Sequence, residues 1–135
     1  MGQYHMVVNI DKEQILDPHK FGSGLKLMEF GNDGQSILTG LAVLLADSNG
    51  RGGGDLRSNK PIVGSWAGDR IVIAGDYGDE GKWVEGGERN LYHHAEENYA
   101  DISNEVIEAI VEGEGNWHRL SKINLSETGW RNAPV

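Results

Sequence analysis

Apolar and polar residues alternate at the start of the chain. Tyr4, Met6, Val8 and Ile10 interleave with Gln3, His5, Val7 and Asn9. A period of two predicts a strand with the first set on a buried face. Residues 11–14 are polar and turn the chain, and Ile15-Leu16-Asp17 returns as a second strand, giving a hairpin. Pro18 ends it, because proline has no N–H to offer a ladder. Gly22-Ser23-Gly24 is a flexible joint. Residues 25–30 alternate like a strand but carry Leu, Lys, Met and Glu, which favour a short helix.

The period then changes. Over residues 35–47, Ile37, Leu41 and Leu45 form one stripe that Leu38, Ala42 and Leu44 widen, so the spacing predicts a helix. Ser36 is placed to cap it, its hydroxyl accepting from a first-turn N–H. Apolar nearly all round, this helix is expected to lie buried against a sheet, on the strand holding Ile71 and Ile73. Residues 48–60 read as a loop, and 62–64 and 70–74 as strands. The second of these has apolar residues on both sides, which predicts a central strand covered on both faces. Residues 90–99 read as a helix. So do 104–112, with Ser103 as cap, Ile102 and Ile107 as an apolar staple, and Gly113 just past the end. Val106, Ile107, Ile110 and Val111 form its buried stripe. The expected architecture is one α+β domain over residues 1–115. It has a mostly antiparallel sheet of about four strands and two main helices, and residues 116–135 form an extended tail packed on it.

Composition narrows the function. The 135 residues suit one domain and contain no cysteine, which excludes disulfide scaffolds, thiolate metal sites and thiol catalysis. Twelve basic residues face 21 acidic ones, a formal charge of −9, against the basic surface that direct nucleic-acid binding requires. The surplus is concentrated: residues 76–114 hold 12 acids against only Lys82 and Arg89. The longest apolar run, residues 41–46, is far short of the roughly 20 that span a bilayer. With no basic, apolar leader at the start, the expected location is the cytoplasm.

Several motifs stand in one order: Met1-Gly2-Gln3-Tyr4; Asp17-Pro18-His19-Lys20-Phe21-Gly22 running into Gly24-Leu25-Lys26-Leu27; Arg51-Gly52-Gly53-Gly54-Asp55; Gly64-Ser65-Trp66-Ala67-Gly68-Asp69-Arg70; and Gly75-Asp76-Tyr77. Together, over roughly residues 1–112, they resemble a family of small uncharacterised proteins of bacteria and their mobile elements. The resemblance implies no activity. It does fit a protein carried by phages or mobile elements.

Three sets of residues are candidates for chemistry. In the first, a loop around Arg51, Gly52, Gly53 and Asp55 can turn backbone N–H groups toward an anion, with Trp66 as a stacking surface. It is not a phosphate-binding P-loop, since no GxxxxGK[ST] is present and it follows a helix. The bland reading is a flexible connection. In the second, His5, His19, Asp69, Asp76 and Asp79 offer imidazole and carboxylate ligands for a divalent ion, zinc or magnesium or calcium. His5 and His19 fall on the two arms of the hairpin, and the aspartates adjoin glycines at strand ends. Here the bland reading is turn chemistry and ordinary surface histidine. In the third, Glu105, Glu108 and Glu112 share one helix face and can meet a basic groove on a protein partner. The bland alternative is a solvated face.

Ser65 lies one position too early for a G-x-S-x-G nucleophile, and no HExxH is present. The expected function is therefore a non-enzymatic acidic binding protein that acts through a protein partner. An inhibitor of a host defence system, of the anti-CRISPR kind, is one form of it. The alternative is a metal-dependent hydrolase or ligand-binding enzyme using the aspartates and histidines.

Overall fold

The computed structural model describes residues 2–31 and 36–113. The tail at 116–135, with Gly115, Trp117, His118 and Trp130, lies outside the described residues, as do Met1 and Gln35. Strands β1 (His5–Asn9), β2 (Gln14–Leu16), β3 (Ile71–Gly75) and β4 (Ala100–Asp101) form one sheet in the order β3-β1-β2-β4. β1 pairs antiparallel with both β2 and β3, and β2 pairs parallel with β4. Helices α1 (Ile37–Leu45), α2 (Leu91–Asn98) and α3 (Ser103–Gly113) complete the domain, with 3-10 turns at Pro18–Phe21 and Leu27–Glu29. The fold is α+β with a mostly antiparallel sheet, as the patterning predicts. No helix among the described residues is long and apolar enough to cross a membrane.

Both faces of the sheet are covered. Val7 and Leu16 point into a core with Phe21, Phe30, Ile37, Leu44, Trp66 and the inner face of α3. Met6, Val8, Ile15 and Ala74 point the other way and pack on Leu91 and Ala95 of α2. The strand enclosed on both sides is thus β1, in which Met6 to Asn9 are all buried. The expected one-sided burial of β1 is too narrow, because Val7, at an alternating position, points into the first of these cores and Asn9 is buried as well. The expectation that residues 70–74 form the central strand is also corrected. β3 is an edge strand, and Ile73 is 41% exposed.

α1 starts where the sequence places it. Ser36 Oγ accepts from the N–H of Leu38 at 3.3 Å, and Ser23 Oγ accepts from that of Ile37 at 3.1 Å. Its buried stripe is Ile37, Gly40 and Leu44, whereas Leu38 and Leu45 are exposed. The stripe lies one step away from Ile37, Leu41, Leu45 because α1 packs chiefly on α3 and the Pro18–Phe21 turn, while Ile71 of β3 joins the same core and Ile73 stays exposed. Gly40 makes this approach possible: a Cβ there would sit 2.7 Å from the Phe21 ring.

Residues 62–64 do not form a strand. Residues 60–69 are successive turns, with the Val63 N–H donating to Lys60 O and the Ser65 N–H to Ile62 O. The segment instead closes the end of α1. The Gly64 and Trp66 N–H groups donate to the Val43 and Leu44 carbonyls, both at 2.9 Å. These carbonyls have no partner inside the helix, so the segment serves as a C-cap supplied from a distance. The fourth strand is β4, too short to be read from its two residues. Ser103 lies inside α3, and its Oγ accepts from the Asp17 N–H at 2.8 Å, while Asp101 Oδ1 accepts the Ser103 N–H.

Candidate functional site

α3 is the most clearly two-faced element. Val106, Ile107, Ala109 and Ile110 are buried, at 0%, 0%, 0% and 1% exposure. Glu105, Glu108 and Glu112 are exposed on the opposite side. Spacings of three and four in a helix place side chains on one face, so all three carboxylates project outward together. Glu112 Oε2 lies 3.3 Å from Lys60 Nζ, with both side chains about half exposed. A pair so wet contributes little, on the order of 0–1 kcal/mol. Glu105 and Glu108 make no ion pair among the described residues. With Lys60, Pro61 and Ile62 they line a depression of about 330 Å³. An exposed acidic face beside a small apolar rim can receive a cationic side chain and its aliphatic stem.

The glycine loop borders a wider concavity of about 970 Å³, lined by Gly52, Gly53, Asp55, Arg57, Lys60 and Glu112 among others. Gly50, Gly52 and Gly54 have φ of 86°, 146° and 94°, which side-chain-bearing residues rarely adopt. The loop closes on itself: the Arg51 N–H donates to Asp55 Oδ2 at 2.8 Å, and the Asp55 N–H to Gly52 O at 3.1 Å. Asn49, which sequence reasoning passed over, ties down the outgoing strand of the loop. Its Oδ1 accepts from the Leu56 N–H, and its Nδ2 donates to the Leu56 and Ser58 carbonyls. The loop rests on the end of α3, where the Arg57 N–H donates to Gly113 O. Gly113 is required by that closeness, since a Cβ would be 2.8 Å from Arg57 O. It does not act as a left-handed cap.

Trp66 does not belong with this loop. It is fully buried in the core, and its Nε1–H donates to Gln14 Oε1 at 2.7 Å. An indole with its face packed and its N–H satisfied is a core anchor, not a stacking surface.

The candidate metal ligands are spread over the molecule. Asp69 and Asp76 stand beyond opposite ends of β3, roughly 20 Å apart at about 3.3 Å per residue. Asp69 Oδ2 accepts from Asn9 Nδ2 at 2.9 Å and pairs with Lys12 Nζ at 2.5 Å. The hydrogen bond from Asn9 and the Lys12 ammonium hold its carboxyl below the ordinary aspartate range. Beside it, Asp11 accepts from the Arg70 N–H and guanidinium, and these bonds lower its pKa too. Both aspartates are thereby committed to closing the β1–β2 turn against the start of β3. Asp76 Oδ1 accepts from the Tyr4 N–H at 3.0 Å. His5 and Asp79 border a common groove beside β3, whereas His19 sits in the Pro18–Phe21 turn. No group of three or more His, Asp or Glu side chains able to hold a metal ion occurs among the described residues.

Comparison of the chain with protein-family models, with curated proteins and with solved structures gives no match.

Proposed function

We propose that this protein acts by binding, through the outer face of α3, to a protein partner that carries a basic surface. The carrying observation is the geometry of that helix. Its apolar side is spent on the core, while Glu105, Glu108 and Glu112 stand exposed in one row. Opposite charge steers such a surface toward a basic groove and suppresses wrong partners. The chain's surplus of acid over residues 76–114 acts in the same direction. A partner groove that ordinarily holds nucleic acid has the required sign. An inhibitor that fills such a groove in a host defence protein is the form this reading takes for a protein of mobile elements.

The test is a pull-down from host lysate at stepped salt, with captured proteins identified by mass spectrometry. Wild type is expected to retain proteins with basic surfaces at about 0.1 M salt and release them toward 1 M, as screening shortens from about 10 Å to about 3 Å. The triple reversal Glu105→Lys, Glu108→Lys, Glu112→Lys is expected to lose them while its far-UV spectrum stays unchanged, since exposed substitutions usually cost under about 0.5 kcal/mol. Equal capture by the reversed protein at low salt overturns the reading.

A further inference from the structure

Among the described residues, β3 is left open along its outer side. The Ile10 N–H donates to Arg70 O and the Asp76 N–H to Tyr4 O, so the even-numbered residues of this stretch turn their backbone toward β1. Strand geometry then aims the N–H and C=O groups of Ile71 and Ile73, and the N–H of Gly75, away from the sheet. Among the described residues none of these five groups has a partner; the Gly75 carbonyl accepts from the Gly78 N–H.

Edge strands in natural proteins are usually protected by a lysine, a proline or a bulge. β3 reads Ile-Val-Ile-Ala-Gly and has no charged residue and no proline. Beside it runs a groove of about 340 Å³. Val72 to Gly75 line it together with Gln3 and His5 on the β1 side and Asn90 and Leu91 at the start of α2, and Gly78, Asp79, Lys82 and Trp83 line it from the loop that follows β3. Trp83, one of the lining residues, is 47% exposed, which places aromatic surface at the rim.

We infer that this groove binds an extended peptide segment of a protein partner, added to the sheet as a fifth strand alongside β3. Main-chain bonds to Ile71, Ile73 and Gly75 supply affinity, and the space under Trp83 takes an alternate side chain, the division of labour seen wherever a strand is added to a sheet edge. Charge selects the segment: Asp79 and Lys82 in the lining offset each other, and the rest of the surrounding stretch 76–89 adds Asp76, Glu80, Glu85 and Glu88 against Arg89, so the fitting strand alternates apolar residues with lysine or arginine. This site is separate from the α3 face and does not depend on it.

The experiment uses the full chain to select from a phage-displayed library of random dodecapeptides. The strongest binder is synthesised and added to the protein, and amide exchange is followed by NMR. The expected result is enrichment of extended sequences with alternating basic and apolar positions, and new protection at the Ile71, Ile73 and Gly75 amides. Ile73→Pro removes one outward N–H without touching the β1 ladder and is expected to weaken the peptide by up to about tenfold, as loss of one backbone bond implies. Ile73→Lys is the second variant, a common edge protector that keeps the backbone intact, and it is expected to weaken the same peptide while melting like wild type. The triple reversal on α3 is expected to keep the peptide, which separates failure here from failure there. The inference is overturned by an empty selection, by protection confined to α3, or by unchanged affinity in Ile73→Lys. It is also overturned if the free protein sediments as a dimer with these amides already protected, since the occupant is then a second copy.

Discussion

Gln14 Oε1 receives the indole N–H of Trp66 at 2.7 Å, across 52 residues of chain. Gln14 stands at the start of β2, paired with Asn9. The bond therefore fixes the turn segment that ends α1 to the edge of the hairpin. Trp66→Phe keeps most of the packing and leaves the Gln14 oxygen without its donor, which is expected to cost about 1–3 kcal/mol. Trp66→Ala is expected to cost about 3–5 kcal/mol. Urea unfolding followed by far-UV circular dichroism measures both; a change under about 0.5 kcal/mol for the alanine variant would show that Trp66 is not a core anchor.

Leu44 and Leu45 are neighbours in α1 with opposite fates, 0% and 40% exposed. Leu44→Ala is expected to lose about 2–5 kcal/mol, the range for a buried leucine. Leu45→Ala is expected to lose less than about 1 kcal/mol, since little area returns to water and alanine favours the helix. Equal losses in denaturant would place the helix in the wrong rotation.

Gly64 joins two constraints. Its φ is +76°, and a Cβ would lie 2.5 Å from the Ala46 carbonyl oxygen. Backbone cannot give way as a flexible side chain can, so Gly64→Ala is expected to destabilise by about 2 kcal/mol or more. The same substitution at Gly68 (φ +87°), where a Cβ would meet nothing within 4 Å, is expected to cost only the conformational part, about 1–2 kcal/mol. Thermal melting of the two variants side by side is the check, and a Gly64 variant no less stable than the Gly68 one would remove the steric argument.

Asp69 and Asp11 make stability depend on acid. Their folded-state pKa values are below the ordinary aspartate value, Asp69 chiefly through the Asn9 hydrogen bond and Asp11 chiefly through the Arg70 N–H. The unfolded chain therefore binds protons first. The stabilisation is fully present above the unfolded value of about 3.9 and disappears as pH falls through the lower folded values. Urea midpoints are expected to drop between about pH 5 and pH 2, and Asp69→Asn is expected to flatten that slope. Superimposable pH profiles for the two proteins would rule out the contribution of Asp69.

The sequence alone determined what depends on near neighbours. Ser36 caps α1 because its hydroxyl reaches an N–H two residues on. The acidic and apolar faces of α3 follow from a repeat of 3.6 within one element, so Glu105, Glu108 and Glu112 were legible as an exposed row before any packing was known. The hairpin of β1 and β2 was legible for the same local reason. Tertiary structure alone decided whatever depends on distant chain. Ile71, Val72 and Ile73 read as a covered strand, since an apolar run carries no mark of how many strands will flank it, and β3 is an edge because no described strand pairs with its outer side. Residues 62–64 have strand composition, yet the Val63 N–H closes a turn on Lys60 O and the Gly64 N–H is taken up by the open Val43 carbonyl of α1. Asp69 and Asp76 are seven positions apart in the chain. The rigid length of β3 carries their carboxylates to opposite ends of the sheet, where one braces a turn and the other a strand terminus.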